Sequence, residues 1–297
     1  MLDRSDGAEV IIATTFREFT GSDNDLIQHK FLDSLANQSY KRFKLAVTVF
    51  KEEKVKDVVR SKKIVSAIYP NKVPVKNKFS LTDVLVNGIV EAELSDSSFL
   101  IWTTCDVVFP VDFLENVVAT RKPGLMITSH PHAIAESSSV VSINTGFDFL
   151  GFDKKLFENP KFKDTIKKYK FYDWGLFEHF LIAVGDSVGS ININLYKQSP
   201  VVKHENDRAP GKETQDWLSK CWQSNKKVFD KYLTENKITP KYYSLAFCHL
   251  RFAMKGFGLT DLKFWWRDYY KYYISRVKCQ IGRVPPKSVK EFLRKFI

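Results

Sequence analysis

The sequence predicts an α/β protein with a mainly parallel sheet flanked by helices, and three observations lead to that prediction. From residue 9 onward, short apolar runs alternate with amphipathic helical patterns, as in βαβ units. Polar side chains follow the ends of these runs, where open sheets of this class bind their ligands. The chain has 297 residues, of which 44% are hydrophobic and 14% aromatic, enough for a large core.

The predicted elements are spaced for such a sheet. Strands are predicted at residues 9–14, 43–50, 64–68, 99–102, 124–130, 140–152 and 191–203, and later helices at 171–182 and 214–236. An earlier helix, from residue 23, is predicted to bury Leu26, Ile27, Phe31, Leu32 and Leu35. Another, capped by Ser80 with Asp83, is predicted to bury Leu81, Val84, Leu85, Ile89 and Ala92.

Two of the strands end in polar residues that suggest a site. Thr14, Thr15 and Glu18 follow the first strand, at the edge where open sheets bind nucleotides, and are predicted to line a nucleotide pocket. Asp106 follows strand 99–102. A carboxylate there is costly unless a cation offsets it. Asp106 is therefore predicted either to hold a divalent cation that bridges phosphate oxygens or to cap the next helix.

The positive charge is concentrated at one end of the chain. Residues 203–297 hold 21 Lys and Arg against 9 Asp and Glu, whereas residues 1–202 hold 25 of each. This asymmetry predicts an anionic partner for the last third: nucleic acid, an anionic lipid surface or a phosphorylated acceptor. The sequence shows no apolar run long enough to span a membrane, no signal-peptide pattern at its start and no metal-like cysteine spacing, so a cytoplasmic protein is expected.

Three phrases in the first part of the chain resemble the nucleotide-sugar-binding half of inverting GT-A glycosyltransferases (family-2-like). They are IIATTFRE, FLDSLANQSYKRFKLAVTVF and LVNGIVEAELSDSSFLIWTTCDVVFP, which together cover roughly residues 9–115 in the family's order. The resemblance implies a Rossmann-like GT-A fold and a nucleotide-sugar donor. It also implies that Asn87, in the helix that corresponds to the one with the family's "N.G...A" phrase, lies in the donor site.

The family's DxD motif is altered here. Counting back from Pro110, Asp106 matches the second aspartate, which is the metal ligand in the family, and Thr104 replaces the first, which mostly contacts ribose. The resemblance thus implies a donor site with Thr104 and Asp106 and a divalent cation, Mn²⁺ or Mg²⁺, on Asp106. The missing carboxylate leaves a strict metal requirement open.

The middle of the chain adds further candidates. His130 and His132 are predicted to hydrogen-bond the acceptor, with a metal pair or an inert loop pair as alternatives. Asn144 and Gly146 resemble an Asn-x-Gly phrase that lies against the donor sugar in GT-A enzymes, although a plain hairpin is an equal alternative.

A general base is expected at Asp173. Inverting transfer needs a carboxylate to take the proton of the acceptor hydroxyl, and the family's base lies near the N-terminus of a helix after the acceptor loop. Asp173 occupies such a position, at the natural N-cap near the start of the helical segment predicted at 171–182, and Glu178 is the second choice. The alternative is that Asp173 only caps that helix.

Residues after the last predicted strand complete the proposed site. A histidine there is a recurrent third metal ligand in GT-A folds, so His204 is predicted to join Asp106 and to favour manganese. Arg208 and Lys212 are assigned to the diphosphate by charge alone. A charged surface loop is the alternative.

The C-terminal part is predicted to be a helical, aromatic and basic extension. Ten aromatic residues lie between residues 257 and 296, and the final segment has the pattern of an amphipathic basic helix. Such a helix is typical of peripheral attachment to an anionic membrane, where a lipid-linked acceptor would be met, and equally of packing on its own domain. The domains are therefore predicted as 1–212, catalytic (donor half 9–115, acceptor half 116–212), and 213–297, the extension.

These features favour a glycosyltransferase that moves a sugar from a nucleotide-sugar donor to a glycan or lipid-linked acceptor, in polysaccharide or glycoconjugate biosynthesis. Two alternatives remain. One is a protein that binds or modifies nucleic acid through its basic third, against which no nucleic-acid-binding motif is found. The other is a GT-A-like nucleotidyltransferase or a catalytically inactive nucleotide-binding module, which the loss of the first DxD carboxylate favours.

Overall fold

The computed structural model describes residues 9–17, 19, 23–49, 52–71, 79–128, 132–135, 141–143, 148–173, 175–195, 202–205 and 212–239. A seven-stranded sheet runs in the order β10, β6, β9, β4, β1, β2, β3. Its strands are β1 (Val10–Phe16), β2 (Phe43–Val49), β3 (Ser66–Pro70), β4 (Phe99–Thr103), β6 (Leu125–Thr128), β9 (Phe149–Asp153) and β10 (Ile191–Asn194). Only β9 pairs antiparallel with its neighbours in this sheet, so the other six strands end at one edge.

A second, four-stranded sheet lies in the order β5, β11, β7, β8. Its strands are β5 (Val107–Val108), β7 (His132–Ala135), β8 (Val141–Ile143) and β11 (Val202–Glu205). Because β5 follows β4 after only three residues, this sheet begins beside the edge at which the parallel strands end.

The large sheet separates two apolar clusters. One lies under α1 (Asp23–Ala36), α2 (Glu52–Ser61) and α4 (Phe113–Ala119). The other lies under α3 (Leu81–Leu94), α5 (Lys154–Phe157), α6 (Pro160–Lys168), α7 (Phe177–Ser187) and α8 (Lys212–Glu235). The α8 side chains Phe229, Tyr232 and Leu233 belong to this second cluster, so that helix packs on the sheet domain. The division of the chain at residue 212 stays a prediction.

The predicted mainly parallel sheet flanked by helices is confirmed, and α3 shows why its sequence specified it well. The Ser80 hydroxyl accepts a hydrogen bond from the Asp83 backbone N–H (3.0 Å), which caps the helix as predicted. All five side chains predicted to face inward are buried: Leu81, Val84, Leu85, Ile89 and Ala92.

Other expectations were wrong in detail. Leu26 was expected to be buried in α1 but is 51% exposed, whereas Asp25 and Gln28 are buried. Residues 140–152 do not form one strand, because they contain β8 and β9, and residues 191–203 are divided between β10 and β11. The helix expected at 171–182 begins later, at Phe177.

Gln38 explains part of the phrase SLANQSY in physical terms. Its side chain is 1% exposed and donates hydrogen bonds to the carbonyl oxygens of Ser34 (3.0 Å) and Pro110 (2.7 Å). Its Oε1 accepts the Leu114 N–H (3.0 Å) in the first turn of α4. Gln38 therefore connects the end of α1 to the start of α4 by hydrogen bonds.

In the part of the chain that is described, no helix is both long enough and apolar enough to cross a membrane.

Candidate active site

Polar side chains of β1, β2 and α3 meet at the edge where the parallel strands end. The Thr15 hydroxyl donates to the Thr48 carbonyl oxygen (2.9 Å), and the Asn87 side-chain amide donates to the Thr48 hydroxyl (3.0 Å). Asn87 can reach the strand because its neighbour is a glycine. A Cβ on Gly88 would lie 2.5 Å from the Ala13 Cβ, so α3 rests directly on β1. The structure thus brings Thr15 and Asn87 together, as the predicted donor site requires.

Thr14 lies on the other face of β1 and near a residue that the sequence analysis missed. The Thr14 hydroxyl and the Gln28 side-chain nitrogen are both buried, and neither has a hydrogen-bond partner among the described residues. Gln28 Oε1 accepts the Arg17 N–H (2.8 Å) and lies 3.8 Å from the Cys105 thiol. Gln28 therefore joins the loop after β1 to the loop after β4.

The helical spacing could have revealed Gln28. Residues 25 and 28 continue the buried stripe of Phe31, Leu32 and Leu35 toward the start of α1, so polar side chains occupy an inward face. An inward polar residue at the end of a helix that meets strand ends is a signal for a site. The prediction of an apolar inward face instead placed Leu26 among the buried residues.

The altered DxD segment forms the turn between β4 and β5. The Thr104 hydroxyl donates a hydrogen bond to Asp106 Oδ1, so the residue in the first DxD position holds the carboxylate in the second. The Thr104 backbone N–H in turn donates to the Asp148 carbonyl oxygen (3.2 Å). Asp106 does not cap a helix, because the next helix, α4, begins at Phe113 after Asp112. The capping alternative for Asp106 is therefore wrong.

The surroundings of Cys105, between the two, disfavour its thiolate form. Burial raises the pKa of its thiol to about 12, and the negative charge of Asp106 adds to this effect. A thiol with this pKa stays protonated at neutral pH.

The pairing of β5 with β11 brings position 204 near the turn that holds Asp106. In this antiparallel pair, Val108 lies opposite Val202 and Val107 lies opposite Lys203. The described pairing ends there, so Asp106 and position 204 each adjoin the last described pair. Within the described residues no group of three or more potential metal ligands occurs.

Asp173 is held beside the N-terminus of α3. Its backbone N–H donates to the Phe79 carbonyl oxygen (2.9 Å), and its Oδ1 accepts the Phe79 N–H (2.8 Å). It does not cap α7, because the N-cap is Leu176, so that alternative is also wrong. Glu178 lies in the first turn of α7 and is half-buried.

Topology relates Asp173 to the donor residues. α3 follows the end of β3 and leads to the start of β4, so the N-terminus of α3 lies at the edge where the parallel strands end. The rings of Trp102 in β4 and Phe177 in α7 are also in contact, with centroids 5.3 Å apart. The segment with Asp173 and the segment with Asp106 therefore belong to the same edge.

Several predicted site residues are not covered. Glu18, His130, Asn144, Gly146 and Arg208 lie outside the described residues, as does the whole predicted C-terminal amphipathic helix. His132, His204 and Lys212 lie on β7, β11 and α8, and only their backbone positions are described. The roles assigned to these residues stay predictions.

Comparison with known proteins supports the fold. No protein-family model and no curated sequence matches the chain. The structure is similar to that of mannosyltransferase PcManGT from Pyrobaculum calidifontis in complex with GDP-Man and Mn²⁺, with a TM-score of 0.50 and 12% identity over 84% of this chain and 71% of that one. A similar structure is GalNAc-T7 with UDP, GalNAc and Mn²⁺ (TM-score 0.49, 8% identity, 68% of this chain and 45% of that chain).

A further similar structure is S. aureus TarS 1–349 in complex with UDP, with a TM-score of 0.40 and 10% identity over 68% of this chain and 59% of that one. At 12% identity, the likeness to the mannosyltransferase shows the fold alone. The chain has the GT-A fold of the nucleotide-sugar transferases, which is the fold that the sequence predicted.

Proposed function

We propose that this protein is a glycosyltransferase that moves a sugar from a nucleotide-sugar donor to a glycan or lipid-linked acceptor, with inversion at the anomeric carbon. The observation that carries the proposal is the turn after β4. There Asp106, oriented by Thr104, adjoins the pair of Val107 with Lys203, at the edge of a GT-A sheet near which Thr15 and Asn87 both contact Thr48. That edge is where open α/β sheets bind their ligands.

The donor is proposed to bind across the ends of β1 and β4. Thr14 and Gln28 support this, because buried polar atoms are nearly always hydrogen-bonded and these two have no partner in the described part of the chain. Glu18, Asn144, Gly146, Arg208 and Lys212 are further candidates for donor binding, on the sequence argument alone. Arg208 and Lys212 would contact the diphosphate.

Asp106 and His204 are the residues proposed to hold a divalent cation, with manganese favoured over magnesium by the imidazole. When bound, the cation would offset the negative charge of the donor diphosphate as it leaves. The Thr104 hydroxyl takes the place of a second carboxylate and orients Asp106 by donating to its Oδ1.

Asp173 is the proposed general base. Its Oδ1 is held by the Phe79 N–H, and its Oδ2 is proposed to take the proton of the acceptor hydroxyl. The acceptor oxygen then forms a bond to the anomeric carbon from the face opposite the diphosphate, whose bond to that carbon breaks. A single base that acts on the attacking hydroxyl is the arrangement that inversion requires. His130 and His132 are proposed to hydrogen-bond the acceptor.

Donor binding is the first test. A panel of nucleotide sugars is screened by thermal shift with and without Mn²⁺, because a ligand that binds the folded state raises its apparent stability. The donor that stabilises the protein should lose most of its Mn²⁺-dependent shift in Asp106→Asn. Asp112→Asn is the matched control, because Asp112 is exposed and its side chain makes no capping hydrogen bond. An equal shift in both variants would contradict the metal role.

Turnover is the second test. Asp173→Asn should lower the rate of transfer by about 10²–10⁴-fold while donor binding persists. Glu178→Gln is the control, and an inactive Glu178→Gln beside an active Asp173→Asn would reassign the base. Donor binding without transfer to any acceptor, in the unaltered protein, would indicate the nucleotide-binding module instead.

The C-terminal third is proposed to bind an anionic membrane from the cytoplasmic side, where a lipid-linked acceptor would be met. Its excess of basic residues supports this, since each one near an anionic surface contributes about 1 kcal/mol. Sedimentation with anionic vesicles should recover the protein at low salt and release it at high salt. Deletion of residues 285–297 should weaken binding further. Recovery in the supernatant with and without vesicles would contradict the proposal and point to a soluble acceptor.

A further inference from the structure

The segment that carries Asp173 has an unusual backbone. Three of its residues have left-handed φ angles: Asp173 (55°), Gly175 (88°) and Leu176 (65°). Glycine adopts this conformation readily, but residues with a side chain do so only where the surrounding structure holds them. Something outside the segment must therefore maintain the position of Asp173.

Besides the two hydrogen bonds of Asp173 with Phe79, Asn225 on α8 supplies such a contact. Its Oδ1 accepts the Tyr172 N–H (3.2 Å), and its Nδ2 donates to the carbonyl oxygens of Tyr172 (2.8 Å) and Gly175 (3.0 Å). The side chain is 1% exposed, so water does not compete for these bonds. The side-chain amide of Asn225 thus forms hydrogen bonds with backbone groups on both sides of Asp173.

Neighbouring residues of α8 contact the same segment. A Cβ on Gly175 would lie 3.1 Å from Trp222 Cδ1, and the Cys221 thiol lies 3.9 Å from Asp173 Oδ2. Further along, α8 packs into the core through Tyr232. The centroid of its ring lies 5.2 Å from that of Tyr169 and 5.0 Å from that of Phe180. A helix fixed to the core therefore presents Asn225 to the segment from a defined position.

We infer that Asn225 is a positioning residue for the reaction, which sets the backbone from Tyr172 to Gly175 so that the Asp173 carboxylate faces the acceptor. The inference rests on the proposed function, in which Asp173 is the general base. Asn225 lies about fifty residues from that segment in sequence, on a helix that the sequence analysis assigned to an extension outside the catalytic domain.

The inference can be tested by replacing the side-chain nitrogen of Asn225 with an oxygen atom. Asparagine offers an acceptor on one side and two N–H donors on the other, and both are used here. Asn225→Asp keeps the size but sets a carboxylate oxygen against the carbonyl oxygens of Tyr172 and Gly175. The segment then loses its donors and gains a repulsion, so the left-handed backbone is no longer held.

The donor residues do not depend on this contact. Thr15, Asn87 and Asp106 make the polar contacts described above with β2 and the β4–β5 turn, and none of those contacts involves α8. Asn225→Asp should therefore lower kcat for transfer by tenfold or more while the donor Kd, measured by titration with Mn²⁺, changes less than twofold. Gly175→Ala perturbs the segment from the other side, because its φ is 88° and Trp222 is close, and should give the same pattern.

Leu233→Ala is the matched control for general destabilisation. Leu233 is a buried residue of α8 that belongs to the core cluster, so its truncation should lower Tm. It should leave kcat unchanged at a temperature well below its Tm. If Asn225→Asp also leaves kcat unchanged at a temperature well below its own Tm, the inference is wrong.

Two comparisons separate this inference from the proposed function. If Asp173→Asn is inactive while Asn225→Asp is fully active, only the positioning role fails, and if Asp173→Asn is active, the assignment of the base fails first. A crystal structure of Asn225→Asp provides a measurement that does not need activity. It should show Asp173, Gly175 and Leu176 displaced from their left-handed backbone, and unchanged φ angles at these three residues would overturn the inference.

Discussion

Replacing Gly88 by alanine tests how closely α3 must lie on the sheet for the donor site to form. An added Cβ would lie 2.5 Å from the Ala13 Cβ and 3.0 Å from Leu100 Cδ1. Ordinary carbon–carbon contacts are about 3.5–4.0 Å, so α3 and β1 would have to separate by about 1 Å. The Leu100 methyl can rotate away, but the Ala13 Cβ is fixed to the backbone.

Two opposing effects set the magnitude. Alanine is better than glycine inside a helix by about 1 kcal/mol. Overpacking of a close-packed core costs about 1–3 kcal/mol, so the expected result for Gly88→Ala is a net loss of up to about 2 kcal/mol. For a domain of about 150–250 residues, each kcal/mol lowers Tm by about 2–4 °C, so a fall of several degrees is expected.

Gly185→Ala is the matched control within the same protein. Gly185 is also a helical glycine, but its Cβ would meet Met126 Sδ (3.0 Å) and Ser190 Oγ (3.1 Å), which are atoms of side chains that can move. The helix-propensity gain should then dominate, so Tm should stay level or rise slightly. The difference between the two variants isolates the contact between α3 and β1.

Thermal unfolding of Gly88→Ala, Ala13→Gly and the double variant completes the assay. Removing the Ala13 Cβ removes the atom that the new methyl group meets, so the two changes should be coupled favourably by about 1 kcal/mol or more. Donor affinity should fall in Gly88→Ala, because Asn87 moves with α3 away from Thr48. A Gly88→Ala protein as stable as Gly185→Ala, with no coupling to position 13, would refute the reasoning.

Two further predictions concern stability. Burial lowers the pKa of His179 to about 4, below the ordinary histidine value of about 6.5, so the unfolded chain takes up a proton before the folded one as the pH falls. The free energy of unfolding should therefore fall by about 2 kcal/mol from its value well above pH 6.5 when the pH is lowered to 5. In urea unfolding, His179→Met should lack this part of the decline. The same dependence of the free energy of unfolding on pH in both proteins would contradict the prediction. Ser80→Ala should lower the free energy of unfolding by about 1 kcal/mol, because the hydroxyl that accepts the Asp83 N–H is lost. Ser80→Thr keeps a hydroxyl and should retain most of this stabilisation. Equal unfolding midpoints for both would contradict the capping role.

The elements that the sequence predicted best are those with local causes. α3 has a serine cap and a regular apolar stripe, and both of these act within a few residues of the chain. The α1 prediction failed at Leu26, because the start of that helix meets strand ends and buries Gln28 there instead. Which face of a helix end is buried depends on the elements that surround it, and an apolar count along the helix does not include them.

The candidate site was predicted as a set of residue types, and the structure supplied their relations. Thr15, Asn87 and Asp106 could be named from the sequence because strand ends and the DxD-like phrase are local patterns. The hydrogen bond from Thr104 to Asp106 and the left-handed backbone at Asp173 follow from the path of the chain through its turns. No spacing rule in a single sequence encodes them.

By itself the sequence determined the alternation of strands and helices, the polar residues at the strand ends and the concentration of positive charge after residue 202. These follow from hydrophobic periodicity and composition, which are properties of neighbouring residues. Only the tertiary structure decided that β11 pairs with β5 beside the turn of Asp106 and that Asn225 contacts the segment of Asp173. Both depend on strand register and helix packing between distant parts of the chain, and those are selected by the burial of the whole core.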